Sequence, residues 1–331
     1  VLAEIKDIAK RNKSHRKARP ARARQYWRTH DHAEDMARLS ARAISGPTAK
    51  EIEVNGVRLQ YVEQGYGEPM IFVHGTLSGF GAWEVVGPQI AKKYRFIAYA
   101  QRYFGSGPWL DEGTGFSVAT HAADLVELIT QLVAGPVHIV GWSYGGGVAM
   151  IAALQKPSLV RSLILYEPSV ISVLPLASPA GRAARQDRAA LYAPAIAASK
   201  AGDNGRAMRM LYEAVYRLPP GGFDHEPQAM QARVLENARV VPLLLAAPPP
   251  AITCNDLRQF ARPTLVIWGE KTQTSWRLIS EAVAECVPSA QRVVLPNLDH
   301  AGPRRDPAAF AAAVFGFLSA RCPAIAPTEA P

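Results

Sequence analysis

Apolar and polar positions along this chain follow two periods in turn, and the switches between them mark a series of short elements. Residues 51–54 and 57–62 alternate apolar and polar side chains around Asn55-Gly56, which predicts a two-stranded hairpin. Met70 to Val73 and Phe96 to Ala100 are short apolar runs, each ending in polar or glycine-bearing residues. Such runs fit strands buried on both faces. Over 120–132 the spacing changes to that of a helix, with Leu125, Leu128, Ile129 and Leu132 on one face. Val137 to Val140 and Ser162 to Tyr166 return to strand, Thr264 to Trp268 and Gln291 to Leu295 add two more, and helices are predicted at 276–287 and 307–320. In the last, Phe310, Val314, Phe317 and Leu318 form the inner face.

Alternating short apolar strands and helices predict an α/β chain with a mostly parallel sheet covered on both faces. Residues 170–255 interrupt that rhythm with Ala- and Pro-rich sequence, helical spacing near 182–217 and 226–240, and the run Ala247-Pro-Pro-Pro250. They predict a helical insertion rather than more sheet.

One pentapeptide carries chemistry. Gly141-Trp142-Ser143-Tyr144-Gly145 lies between an apolar strand and the small-residue run Gly146 to Leu154, the setting of a strand–turn–helix nucleophile elbow. So sharp a turn predicts a strained backbone at Ser143, with glycines beside it wherever a Cβ would clash. The following helix would aim free N–H groups at an anion forming next to Ser143.

Over residues 51–320 the chain resembles the α/β-hydrolase family. The resemblance rests on His74-Gly75-Thr76 after a strand, the Ser143 elbow, and Asn297-Leu298-Asp299-His300 after the last strand. Arg102-Tyr103-Phe104-Gly105 is a looser match to that family's Arg-Gly-x-Gly loop, with Tyr103 replacing the first glycine. The resemblance implies an α/β-hydrolase fold with a mostly parallel central sheet, flanking helices and a helical cap at 170–255. The core would then comprise 51–169 and 256–320, preceded by a basic extension (1–50) and followed by a tail (321–331).

A serine hydroxyl needs a base during attack, and an imidazole suits both taking and returning the proton. His300 is that candidate by its loop position and by resemblance, whereas His74 reads as structural. The third group is a carboxylate that orients the imidazole. Many family members carry an aspartate after the seventh strand, but here Gly269-Glu270-Lys271-Thr272 places Thr272 there. Glu167, after the sixth strand, is the preferred candidate and Glu270 the alternative. Asp299 adjoins His300 and its side chain should diverge from it. By resemblance the N–H groups of Thr76 and Tyr144 would hold an oxyanion, with Gly75 and Gly79 allowing close approach of the loop.

These readings point to a serine hydrolase that cleaves a small carboxylic ester or lactone through an acyl-enzyme, with no cofactor or metal. A cofactor-free perhydrolase resembling haloperoxidases, and a slow-turnover small-molecule receptor on the same fold, are the alternatives. Serine at position 143, where an aspartate would be needed, argues against epoxide-hydrolase and haloalkane-dehalogenase chemistry.

Charge changes the picture only at one end. The 331 residues carry a formal net charge of +9, yet residues 1–50 hold 13 Lys and Arg against 5 Asp and Glu. The basic run 11–24 could touch nucleic acid, but it lacks interleaved aromatics. A dispensable extension is preferred, the chain starting at Val1 with Met36 its first methionine. Cys254, Cys286 and Cys322 are odd in number and widely spaced, so free thiols in a reducing, cytoplasmic setting are expected. No apolar stretch is long enough for a membrane span, and oligomeric state is not legible.

Overall fold

The computed structural model describes residues 47–322. The basic run 11–24, nearly all of the proposed extension and most of the proposed tail lie outside the described residues. Eight strands form one sheet: β1 (Lys50–Val54), β2 (Val57–Gln64), β3 (Pro69–Val73), β4 (Arg95–Tyr99), β5 (Val137–Trp142), β6 (Val160–Tyr166), β7 (Thr264–Gly269) and β8 (Ala290–Leu295). Their order is β1-β2-β4-β3-β5-β6-β7-β8. β1 and β2 pair antiparallel, as do β2 and β4, and every later pairing is parallel.

The apolar runs are explained by burial on both faces. Ile71 and Val73 of β3 point into one hydrophobic cluster with Ile139, Val148 and Leu165, while Met70 and Phe72 point into the other with Val140 and Ile164. Helices α1 (Val118–Leu132) and α2 (Tyr144–Gln155) cover the first face, through Leu125, Leu128 and Ile129 and through Val148 and Ala149. Ser117 starts α1 by accepting the Thr120 N–H at 3.0 Å, so the cap and the apolar stripe agree on where the helix begins.

Between β6 and β7 the chain leaves the sheet for a helical insertion. It contains α3 (Pro179–Lys200), α4 (Asn204–Val215), α5 (Gln228–Leu235) and α6 (Val241–Ala246). The single helical pattern read at 182–217 is two helices. Gly202 has a φ of +81°, and Asp203 caps the second helix by accepting the Arg206 N–H at 2.9 Å. The chain then returns through α7 (Cys254–Arg258), α8 (Thr274–Cys286) and α9 (Pro307–Arg321). Phe310, Val314, Phe317 and Leu318 of α9 are buried on the second face.

The cysteine expectation is corrected here. Cys254, at the start of α7, and Cys286, at the end of α8, are joined as a disulfide, and Cys322 alone is a free thiol. Nothing in a separation of 32 residues signals that pairing; the packing of α7 on α8 brings the Cα atoms to 5.1 Å. In the chain-entropy account a closed loop of this length stabilises by about 4 kcal/mol. The bond removes the argument that these thiols indicate a reducing compartment. Among the described residues, no helix is long and apolar enough to cross a membrane.

Candidate active site

The parallel strands β3, β5, β6, β7 and β8 end at one edge of the sheet, and the loops leaving that edge carry the candidate residues. Chain order reverses between β3 and β5, since β4 lies on one side of β3 and β5 on the other. Such a switch point opens a crevice beyond the carboxyl ends of the strands. Thr76 follows β3 and Ser143 follows β5, one on each side of it.

The elbow at Ser143 has the predicted strain. Its φ is +56° and ψ −118°, where a side-chain-bearing residue is seldom found. Packing enforces it. The Ser143 N–H donates to the Tyr166 carbonyl at 3.0 Å, and its own carbonyl accepts from Gly146 and Ser169, both at 2.9 Å. A Cβ at Gly145 would stand 2.3 Å from the Val73 carbonyl oxygen, and one at Gly141 2.7 Å from that of Gly145. Within the stretch 137–150 only Ser143 is partly exposed, and it lines a small cavity at the sheet edge. Gly75, Thr76, Trp142 and His300 line the same cavity, and Val215 and Tyr216 roof it from the end of α4.

His300 is held from several directions. Its Nδ1 lies 2.6 Å from Glu167 Oε2, and a carboxylate can only accept there, so Nδ1 donates and the neutral ring carries its lone pair on Nε2. Trp276 stacks on the imidazole at 3.9 Å between centroids. The Trp142 indole N–H donates to the His300 carbonyl at 3.0 Å. Sequence reading had missed Trp276; an aromatic on an amphipathic helix signals core, and only the fold turns it towards the imidazole.

Glu167 is fully buried, and both of its carboxylate oxygens accept hydrogen bonds. The Gly269 N–H donates to Oε1 at 2.8 Å, and the Thr272 hydroxyl donates to Oε2 at 2.7 Å. Thr272 occupies the position where the resembling family places its aspartate. Here that position supplies a hydroxyl donor to Glu167, which follows β6. Glu167 itself has a φ of +44°, a second strained residue at the same edge. Glu270 is exposed and does not meet His300: its Oε2 accepts the Asn297 N–H at 2.9 Å. Asp299 points elsewhere, accepting from Arg305 at 2.8 Å and from the Ala301 N–H at 3.0 Å.

Tyr144 turns its side chain away from the cavity. Its hydroxyl meets His121 Nδ1 at 2.7 Å, inside an aromatic group with Phe104 and Phe116. What Tyr144 can present to the site is therefore its backbone N–H, the first of α2. Tyr103, where the resemblance has a glycine, adopts that glycine's left-handed backbone at φ +72°. The Tyr103 hydroxyl donates to Asp111 at 2.6 Å, which fixes the strained loop from outside.

His74 shapes the loop that carries Gly75 and Thr76. Its Nδ1 donates to the Gly75 carbonyl at 2.6 Å and its Nε2 accepts the Gln101 N–H at 3.0 Å. Gln101 closes the arrangement by donating to the His74 carbonyl at 2.7 Å. A Cβ at Gly75 would lie 3.3 Å from Ser143 Cβ, so the loop approaches the elbow about as closely as glycine allows.

Burial pushes the His74 imidazole down from its ordinary 6.5 to about 4, and that of His121 to about 3. An unfolded chain would bind those protons more readily than the folded one. Each group therefore adds stability above about pH 6.5 that is lost as pH falls through the folded value. For His74 the loss should reach roughly 3 kcal/mol by pH 4. Urea midpoints from pH 7 to pH 4 should drop more steeply for the wild type than for His74→Asn. Parallel curves would show that His74 is not held neutral.

A family model described as alpha/beta hydrolase fold matches residues 68–303. The 2-(acetamidomethylene)succinate hydrolase of Mesorhizobium japonicum is 26% identical over 258 residues, covering 76% of this chain and 88% of that one. The soluble epoxide hydrolase of a Corynebacterium species is 32% identical over 120 residues, 36% of this chain and 41% of its own. Among solved structures, a thermophilic esterase of Thermogutta terrifontis superposes with a TM-score of 0.63 at 23% identity, covering 82% of this chain and 98% of that one.

Proposed function

The chain belongs to the alpha/beta hydrolase fold family, and from that premise we propose that it is a serine hydrolase acting on a small ester or lactone. The observation that carries the proposal is the Glu167–His300 pair, with His300 lining the same cavity as the strained, partly exposed Ser143. In this reading Ser143 Oγ attacks the scissile carbonyl while His300 Nε2 takes the hydroxyl proton. Glu167 holds the tautomer and balances the imidazolium that forms. The N–H groups of Thr76 and Tyr144 receive the oxyanion, each donor contributing roughly 3 kcal/mol to the transition state.

Collapse of the tetrahedral intermediate breaks the bond to the leaving oxygen, which departs with the proton from His300. A water then gives its proton to His300, attacks the acyl carbon, and releases the acid and free Ser143. No group beyond those side chains, two backbone N–H groups and water is required. The Mesorhizobium relative is named a hydrolase of a small organic acid derivative, which favours hydrolysis here as well. The Corynebacterium relative is named an epoxide hydrolase, but a hydroxyl at position 143 favours acyl transfer over attack by a carboxylate. The segment 170–255 serves in this reading as the cap that bounds the substrate.

A fluorophosphonate probe should label the wild-type protein at Ser143, and a panel of p-nitrophenyl esters and lactones should be turned over with a preference for small acyl groups. Absence of both labelling and turnover would refute the assignment.

A further inference from the structure

A second small cavity adjoins the first and shares Leu77, Ser78, Ala82 and Tyr216 with it. Two arginines, Arg233 and Arg304, line its far side, and a third, Arg305, follows Arg304 in sequence. They are in different electrostatic states. Arg233 is neutralised by both carboxylate oxygens of Glu84, and Arg305 by Asp299 at 2.8 Å.

Arg304, partly buried, forms no ion pair among the described residues. Its Nη1 donates to the Tyr212 hydroxyl at 3.1 Å, and its guanidinium lies 5.6 Å from the Tyr216 ring centroid. Glu226 of the insertion acts on it electrostatically without pairing with it. A guanidinium carries five N–H donors and cannot shed its charge. Leaving it half out of water against two tyrosines is costly unless an anion completes it. Tyr216 connects this cation to the chemistry: its ring centroid is 6.5 Å from that of His300 and 5.6 Å from the Arg304 guanidinium.

We propose that Arg304 is the anchor for a carboxylate on the substrate, so that the hydrolysed compound is an ester or lactone carrying a second, ionised acid group. The proposal rests on the serine-hydrolase reading and narrows its substrate class. The carboxylate would take the donors of Arg304 in the second cavity while the scissile carbonyl sits at Ser143 in the first.

The test uses matched pairs of substrates with the full-length protein. With the carboxylate on the acyl side, these are the mono-p-nitrophenyl ester of glutaric acid and p-nitrophenyl pentanoate. With it on the leaving side, they are carboxyphenyl butyrate and phenyl butyrate. Wild type should favour the charged member of at least one pair by about 10-fold or more in kcat/KM. Arg304→Gln should lower kcat/KM for that member by roughly 10- to 100-fold while changing its neutral partner less than about threefold, and Arg304→Lys should recover part of the loss. Calorimetric binding of glutarate to wild type and not to Arg304→Gln supplies a readout independent of turnover. A wild type indifferent to charge in both pairs, or a variant that slows charged and neutral substrates alike, would overturn the proposal and leave Arg304 as a clamp on two tyrosines. Should Arg304→Gln fail to fold, the wild-type preference and glutarate binding decide. Loss of fluorophosphonate labelling would refute the hydrolase reading instead, with glutarate binding still reporting on the anion site.

Discussion

Replacing Ser143 by alanine should abolish fluorophosphonate labelling and reduce ester turnover by roughly 10⁴- to 10⁶-fold. The protein should remain folded. The variant deletes one hydroxyl at a partly exposed position and leaves in place the backbone bonds from Tyr166, Gly146 and Ser169 that hold the turn. Alanine keeps the Cβ and with it the strained backbone, and losing one polar group from such a site is commonly neutral or slightly stabilising, so the melting temperature should stay the same or rise by a few degrees. Residual activity would come from the two N–H groups and the cavity alone. A variant that kept a tenth of the wild-type rate would mean that some other group attacks the carbonyl.

Exchanging Glu167 for glutamine should cost roughly 10³- to 10⁴-fold in kcat, whereas Glu270→Gln should change it less than about threefold. The asymmetry follows from the contacts. A glutamine at 167 must turn an amide N–H₂ towards His300, Gly269 or Thr272, all three of which donate to the carboxylate. Turning it to His300 stabilises the wrong tautomer, with the lone pair on Nδ1 and the proton where Ser143 needs a base. Turning it the other way leaves a buried donor unpaired, at a cost of about 1–3 kcal/mol. Glu270 is exposed, and the oxygen it offers Asn297 can be replaced by the glutamine carbonyl. Measuring both variants on one good substrate separates the two carboxylates. A large loss confined to Glu270→Gln would reverse the assignment.

How much of this was legible in advance differs by element. The central strands were legible because they are buried on both faces, as β3 is with Ile71 and Val73 on one side and Met70 and Phe72 on the other. Burial on both faces leaves a continuous apolar run that few other arrangements produce. The Ser143 elbow was legible for a different reason: its glycines stand where a side chain would strike backbone. Arg304 carried no signal at all, since it follows His300 by four residues in a short helical turn, Gly302–Arg305, whose charges look like ordinary solvated surface. Only placement beside a cavity, with its two arginine neighbours already paired, distinguishes it.

The sequence by itself determined the sheet, the alternation of helices, the insertion and the sharp turn at Ser143, because local spacing and steric limits act over a few residues. The tertiary structure alone decided which carboxylate meets His300, that Thr272 donates to it, that Trp276 stacks on the ring, and that Cys254 and Cys286 are bonded. Each of those depends on groups far apart in the chain arriving at one point. Their meeting is set by the order of strands in the sheet and the packing of helices upon it, and no local pattern encodes either.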